Sequence, residues 1–375
     1  MAKKKIAIIG LKGLPPFGGA ANVGDNIIRQ LAGEYDFTVY ATETHTSVRG
    51  DYMGARQIVF RKFPIKALNV FYYYIASACH AVFKEKYDLV HLHQMDGAFI
   101  LLLLRLRYKV VATSHGLTYQ HAKWSKVLLP YFKMNEWFQA RLSNHLTVVA
   151  RSLTGHYSRL VSPQRITYIP NGITVRSVTG ADPGIRDYIL FAAGRIIPTK
   201  GLHILLSALH ECGYPGKIIV LGDHTQREAY RKELMDVSAG LDIEYRGLVK
   251  DKEVLNAYIA NAKFFVFPST YEAMSMMLLE VAALQVPVIC SDIVQNTDIF
   301  GQEEMLFFTS GSSSDLAAKI SWAAQHPDEM KDFAAHAYVA LLEKYQWTGI
   351  ARQYDALFRQ VMDHKRISLK NSLQA

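Results

Sequence analysis

Arg195 and Lys200 are cations that can neutralise an anion, and Glu272 and Glu280 are carboxylates that can accept hydrogen bonds from hydroxyls. Arg195 and Lys200 stand in AAGRIIPTKG (residues 192–201), where a strand pattern gives way to a proline loop and then to a helix pattern. Two cations beside a helix N-terminus offer charge neutralisation and directed N–H donors, which together suit a diphosphate. Two solvated surface charges are the plain alternative. Glu272 and Glu280 bracket YEAMSMMLLE (residues 271–280). On one continuous helix they would lie roughly 12 Å apart along the axis and about 80° apart around it, too far for a carboxylate pair acting on one bond. Pro268, Ser269 and Thr270 precede them, so Glu272 is expected in a loop, with Ser275 as N-cap and a helix from Met276 to Leu284. Glu272 then stands at a strand end, and the amides near Ser275 and Met276 point towards an anion. Glu280, just over a turn into the helix, can accept hydrogen bonds from vicinal ribose hydroxyls. Met276, Met277 and Leu279 read as core packing.

The first half offers a glycine-rich loop and three histidines. GLKGLPPFGGAANVGD follows the first strand without completing G-x-G-x-x-G, and Pro15-Pro16 stiffen the turn. Glu43 after the second strand keeps a dehydrogenase reading open. Gly18-Gly19 better suits a loop whose bare backbone lets amides approach a phosphate; an ordinary Gly-Pro turn is the rival. His91 and His93 alternate in VHLH and share one face. They read as strand-end structural or cleft-lining residues, with metal binding conceivable. His115 closes VVATSH.

Strands alternating with helices position these residues. KIAIIG, DFTVYAT, YDLVHLH, YKVVATSH and HLTVVA read as strands, with a helix in NIIRQLAGEY after the glycine loop. The alternation restarts at DYILFAAG and runs through GKIIVLG, IEYRG, KFFVFPS and VPVICSD, separated by helical patterns. The class is α/β: two Rossmann-like, doubly wound domains whose strand ends are expected to face a central cleft. The expected boundaries are 1–172 for the first domain, 173–346 for the second, and 347–375 for a final helix and tail.

Composition narrows the class. Among 375 residues, half are apolar and a fifth charged, which fits a soluble chain of about two domains. Three separated cysteines without metal-ligand spacing indicate a reducing, cytoplasmic setting. The four-residue apolar run before Gly10 is too short for a signal peptide, and AFILLLL stops at Arg105. Residues 1–172 hold 22 Lys+Arg against 9 Asp+Glu, whereas the remainder holds 20 against 24. The basic excess of the first half points to a polyanionic partner there.

The order PPFGG, HLH, TSHG, IPNG, GRIIPTKG, FPSTYEAMSMMLLEVAA, VPVICSD resembles the retaining nucleotide-sugar glycosyltransferases of family 4 (group 1), with the GT-B fold, over essentially the whole chain. The resemblance implies that Arg195 and Lys200 bind the donor diphosphate, Glu280 holds the ribose and Glu272 sits beside the transferred sugar. It places Gly18-Gly19 over the phosphates or the acceptor, and His115 near the donor sugar. It makes the first domain acceptor-side and the second nucleotide-sugar-binding, with the final helix crossing back to the first. It implies a nucleoside diphosphate sugar as co-substrate, UDP favoured over GDP, with no cofactor and no metal. The acceptor is expected to be a saccharide or a lipid-linked saccharide, in bacterial cell-surface polysaccharide or glycolipid synthesis. The family's frequent glycine-phenylalanine-glycine after the first glutamate is here Ala273-Met274-Ser275.

AKWSKVLLPYFKMNEWFQARL (residues 122–142) mixes Trp124, Leu128, Phe132 and Trp137 with Lys123, Lys126, Lys133 and Arg141. Such a segment can lie in the interface of an anionic membrane, making the protein peripheral on the inner face of the plasma membrane. A helix packed on its own domain is the competing reading. Two rival functions remain: a sugar-nucleotide epimerase of the same fold, and a basic nucleic-acid- or membrane-binding protein. The acidic second half and the Arg/Lys/Glu set have no role in nucleic-acid binding, so no nucleic acid is expected as a partner.

Overall fold

The computed structural model describes residues 2–16, 18–65, 68–117, 119, 126–175 and 183–363. Met1–Gly172 with Trp347–Ala375 forms one compact unit, and Ile173–Gln346 forms a second.

In the first unit the strands are β1 (Lys4–Lys12), β2 (Tyr35–Thr42), β3 (Gly50–Tyr52), β4 (Ala55–Phe60), β5 (Leu89–His93), β6 (Val110–Ser114), β7 (His145–Val148) and β8 (Ile166–Tyr168). They form one sheet in the order β3-β4-β2-β1-β5-β6-β7-β8. Only β3 and β4 pair antiparallel. The near-continuous apolar run of β1 reflects burial of both its faces. Ile6 and Ile8 join the core under the helices Gly19–Leu31 and Trp347–Asp363, while Ala7 and Ile9 join the core under Asn69–Lys84. The last helix is anchored by Tyr35, whose hydroxyl donates to Asp355 at 2.6 Å, and by the fully buried Phe358. Truncating a buried aromatic of that kind typically costs about 3–5 kcal/mol.

The second unit carries β9 (Tyr188–Arg195), β10 (Ile218–Asp223), β11 (Ile243–Gly247), β12 (Ala262–Phe267), β13 (Val288–Ser291) and β14 (Leu306–Phe308). Their order is β11-β10-β9-β12-β13-β14, all parallel. Helices Leu202–Glu211, Lys252–Ala260 and Met276–Ala283 connect strands of this sheet.

The first helix departs from the sequence reading: it starts at Gly19, not at Asn26. Ala21, Val23, Gly24, Ile27, Ile28 and Leu31 are buried along one stripe, and this packing outweighs the turn character of the glycines. Among the described residues no helix is long and apolar enough to cross a membrane.

Candidate functional site

In the second sheet the strand order reverses at β9, which lies between β10 and β12. Open α/β sheets offer a crevice outside the carboxyl ends of the strands at such a switch point. Two loops meet there, 196–201 after β9 and 268–275 after β12. Gly201 joins them: its φ is +73°, and a Cβ on it would lie 2.0 Å from the Pro268 carbonyl oxygen. Thr270 N–H donates to the Thr199 carbonyl at 2.9 Å. These contacts bring Lys200 Nζ to 2.5 Å from Glu272 Oε1, with the two side chains 26% and 11% exposed.

Glu272 lies in the loop and Ser275 is the N-cap of Met276–Ala283, its hydroxyl accepting from Leu278 N–H at 3.4 Å. The first amides of this helix have no intrahelical acceptors, so the helix start presents donors and a partial positive charge. Glu280 stands on the same helix, with Oε1 2.5 Å from Lys252 Nζ. Lys252 opens the next helix back in sequence, which Asp251 caps by accepting from Glu253 N–H at 2.8 Å.

Arg195 is the last residue of β9, exposed, with no ion pair or hydrogen-bonded side chain among the described residues. Asp223 is its register partner on β10, yet the Asp223 carboxylate turns to its own loop. It accepts from Thr225 Oγ1 at 2.7 Å, Thr225 N–H at 2.9 Å and Gln226 Nε2 at 2.7 Å. These bonds, the Thr225 hydroxyl foremost, hold its pKa down to about 2. The Asp223 carboxylate therefore does not pair with Arg195.

Beside the helix start is an apolar recess of about 110 Å³ lined by Ala193, Gly194, Leu221, Leu248, Val249 and Met277. Met277 therefore lines a recess rather than the core, and Met276 is only half-buried; Leu279 is fully buried as expected. The first turn of this short helix leaves both methionines half-buried. Lys252 and the recess residues other than Met277 have no place in the sequence reading, although the Asp251 cap locates the start of the Lys252 helix.

In the first sheet the order reverses at β1, between β2 and β5. Gly10 has φ +110°, and a Cβ there would lie 1.9 Å from the His93 carbonyl oxygen, so β1 and β5 approach closely. Gly18 caps the helix that Gly19 opens, with no side-chain cap, and both glycines are exposed. His91 and His93 are fully buried and His115 is half-buried. His93 Nδ1 lies 2.9 Å from His115 Nε2, and His93 Nε2 lies 3.2 Å from His91 Nδ1. Burial pushes His115 down to about 4 and His91 to about 3. Among the described residues no group of three or more His, Cys, Asp and Glu is arranged to hold a metal ion.

Arg195, Lys200, Glu272, Ser275, Met276 and Glu280 thus gather at the switch point of the second unit. Gly18, Gly19 and His115 belong to the first. A sequence profile described as glycosyl transferases group 1 matches residues 187–326, and one described as glycosyltransferase family 4 matches 17–176. The chain belongs to the group 1 glycosyltransferases of family 4. It is 21% identical over 292 residues to the MMP alpha-(1->4)-mannosyltransferase of Mycolicibacterium hassiacum, covering 74% of this chain and 71% of that one. It is 22% identical to the GDP-mannose:cellobiosyl-diphosphopolyprenol alpha-mannosyltransferase of Xanthomonas oryzae pv. oryzae, covering 71% and 72%. Anabaena Alr3699/HepE, solved with UDP and glucose, has the same fold at TM-score 0.76 and 17% identity, over 95% of this chain and 100% of that one. This family 4 glycosyltransferase accordingly has two Rossmann-like domains of the GT-B type.

Of the segment expected at a membrane, Lys123 and Trp124 lie outside the described residues. Phe132 is core rather than surface, because the helix Leu129–Leu142 turns it, with Gln139 and Ala140, into the unit. Exposed apolar groups instead come from two elements: Val127, Leu128, Leu129 and Met134 here, and Leu68, Val70, Phe71, Tyr72 and Ile75 at the start of Asn69–Lys84. Phe71 and Tyr131 join them, ring centroids 5.4 Å apart.

Proposed function

We propose that this glycosyltransferase moves a hexose-type sugar from a nucleoside diphosphate to an acceptor hydroxyl with retention at the anomeric carbon. The observation that carries this reading is the convergence of Arg195, Lys200, a capped helix start and Glu280 at one switch point. In it, Arg195, Lys200 and the amides at Met276 hold the diphosphate, and Glu280 takes the ribose hydroxyls. The recess at Met277 takes the base. The bond from the anomeric carbon to the diphosphate oxygen breaks, and the electron pair leaves with the phosphate. The acceptor oxygen bonds the same carbon from the same face, and its proton passes to the departing phosphate oxygen. Fixed cations aimed at the developing charge do the work a metal would otherwise do. Glu272 steadies positive charge at the sugar ring, and His115 is assigned to the sugar on the family resemblance alone.

UDP is the favoured donor base. A bacterial surface glycan or glycolipid is the favoured product. Screening UDP- and GDP-sugars for a rise in unfolding temperature identifies the donor, and the anomeric proton coupling of the product reads retention. Arg195→Ala and Glu280→Ala abolish turnover; normal turnover in both removes the assignment.

The acceptor in this reading is lipid-linked, presented at the inner face of an anionic membrane. Support comes from the exposed apolar groups on the two helices of the first unit, flanked by exposed Arg61, Lys62 and Lys133. Sedimentation with liposomes containing anionic lipid tests it. Binding lost in Phe71→Asp/Val127→Asp supports the surface, and no binding at low salt rejects it.

A further inference from the structure

Five side chains on three adjacent strands form a single hydrogen-bonded file. His91 and His93 share a face of β5, Thr113 stands on β6 with His115 one residue past its end, and Thr147 follows on β7, held by the register His93↔Thr113 and Thr113↔Thr147. His115 Nε2 contacts His93 Nδ1 at 2.9 Å, and His93 Nε2 contacts His91 Nδ1 at 3.2 Å. His91 Nε2 contacts Thr113 Oγ1 at 2.7 Å, and Thr113 Oγ1 contacts Thr147 Oγ1 at 2.6 Å. Thr147 Oγ1 then donates to the Ala112 carbonyl at 3.4 Å. The rings are packed, with His91 and His93 centroids 4.0 Å apart, and Tyr354 and Phe358 of the last helix close over His91 at 5.5 and 5.2 Å.

A neutral imidazole has one donor and one acceptor nitrogen, so each contact needs its proton on one side only. A file of this kind has two states, with every proton displaced one way or the other. The carbonyl at its end favours one, because a carbonyl only accepts, and the buried Tyr354 hydroxyl beside Thr113 and Thr147 is a further donor into that same end. When Thr147 donates to Ala112, Thr113 must donate to Thr147, and His91 Nε2–H to Thr113. His93 Nε2–H then donates to His91 Nδ1, and His115 Nε2–H to His93 Nδ1.

We propose that His91, His93, Thr113 and Thr147 are positioning residues that lock His115 as the Nε2–H tautomer and present its bare Nδ1 as a hydrogen-bond acceptor. Burial holds all three histidines neutral, His93 well below the usual range, so no ring carries the second proton that would break the file. His115 so held accepts a hydrogen bond from a sugar hydroxyl and cannot donate from Nδ1 to a phosphate oxygen. That last consequence rests on the function proposed above; the tautomer does not.

Long-range 1H–15N correlation spectra of the 15N-histidine-labelled full chain near neutral pH read the tautomer directly, with His115 assigned by the resonance lost in His115→Gln. A single Nε2–H form is expected in the unmodified chain. Thr147→Val, of matched volume, removes the hydroxyl that fixes the direction and is expected to give His115 a mixture of both tautomers. An Nδ1–H form in the unmodified chain, or an unaltered Nε2–H form in Thr147→Val, overturns the proposal. Neither readout depends on sugar transfer, so failure here and failure of the proposed function are separate results.

Discussion

Replacing Lys200 with Met removes the ammonium group 2.5 Å from Glu272 Oε1 and leaves that carboxylate, 11% exposed, without its cation. Unit charges about 4 Å apart attract by about 4 kcal/mol at an effective dielectric constant of ~20. A quarter of the Lys200 side chain reaches solvent. Screening and the desolvation both groups suffer bring the net contribution to ~1–2 kcal/mol. Lys200→Met should therefore destabilise the second unit by that amount, and Lys200→Met/Glu272→Gln should recover most of it by removing the uncompensated charge. Nucleotide binding adds a second, independent reading. A charge-assisted hydrogen bond contributes ~1.5–3 kcal/mol, so Lys200→Met should weaken nucleoside diphosphate binding by about 10- to 150-fold. Glu272→Gln alone frees Lys200 and should leave that affinity undiminished while sugar transfer falls.

Because the chain has two units, a single unfolding midpoint is ambiguous. Hydrogen exchange of the peptides spanning β9, β12 and the Met276 helix localises the stability change, and calorimetric titration with UDP and with GDP gives the affinities. Lys200→Met binding a nucleotide as tightly as the parent refutes the role of Lys200. A double variant no more stable than the single refutes the pair.

Glu280→Gln should weaken nucleotide binding by about 10-fold or more, whereas Lys252→Met, removing a half-exposed partner, should change it by less than about 5-fold; the reverse order in titrations contradicts the ribose assignment. Gly201→Ala places a Cβ 2.0 Å from the Pro268 carbonyl at φ +73°, so the strain of ~1–2 kcal/mol plus loop displacement should raise hydrogen exchange around β12. His115 and His145 are held by burial near 4 in the folded chain, below the unfolded value of 6.5. The unfolded state then binds more protons, so first-unit stability is full above pH 6.5 and falls as the pH drops towards 4. Each shift corresponds to about 3 kcal/mol. Urea midpoints flat over that window would contradict it.

The loop position of Glu272 and the cap at Ser275 were legible because both follow from local chemistry: a proline, a run of small polar residues, then a cap before an apolar run. The pair Lys252–Glu280 was not, because it links the start of one helix to the second turn of the next, and no local rule connects them. His91 and His93 were legible as sharing a face through strand alternation. Their link to His115 depends on the register of β5 against β6, which apolar letters alone leave open. Met277 and Leu279 look alike in sequence, yet one lines a recess and the other is core; the rotation of a short helix against its sheet decides which. Short strands such as β3, β8 and β14, three residues each, carry too little pattern to register.

Arg195 owes its availability to a neighbour that faces away. Asp223 is its register partner and is ionised, so an ion pair across the adjacent strand ends is open to the two. Three donors from Thr225 and Gln226 turn the Asp223 carboxylate into its own loop instead. Thr225→Val removes the hydroxyl that contributes most to that hold. Asp223 should then swing towards Arg195 and compete with the diphosphate, a solvent-screened surface pairing that should lower nucleotide affinity by no more than about 5-fold. Thr225→Val/Asp223→Asn should restore the parent affinity, since the competitor is gone. If Thr225→Val binds as the parent does, the loop is not what keeps Arg195 free. If the double variant stays weak, Thr225 acts on the nucleotide by some route other than Asp223.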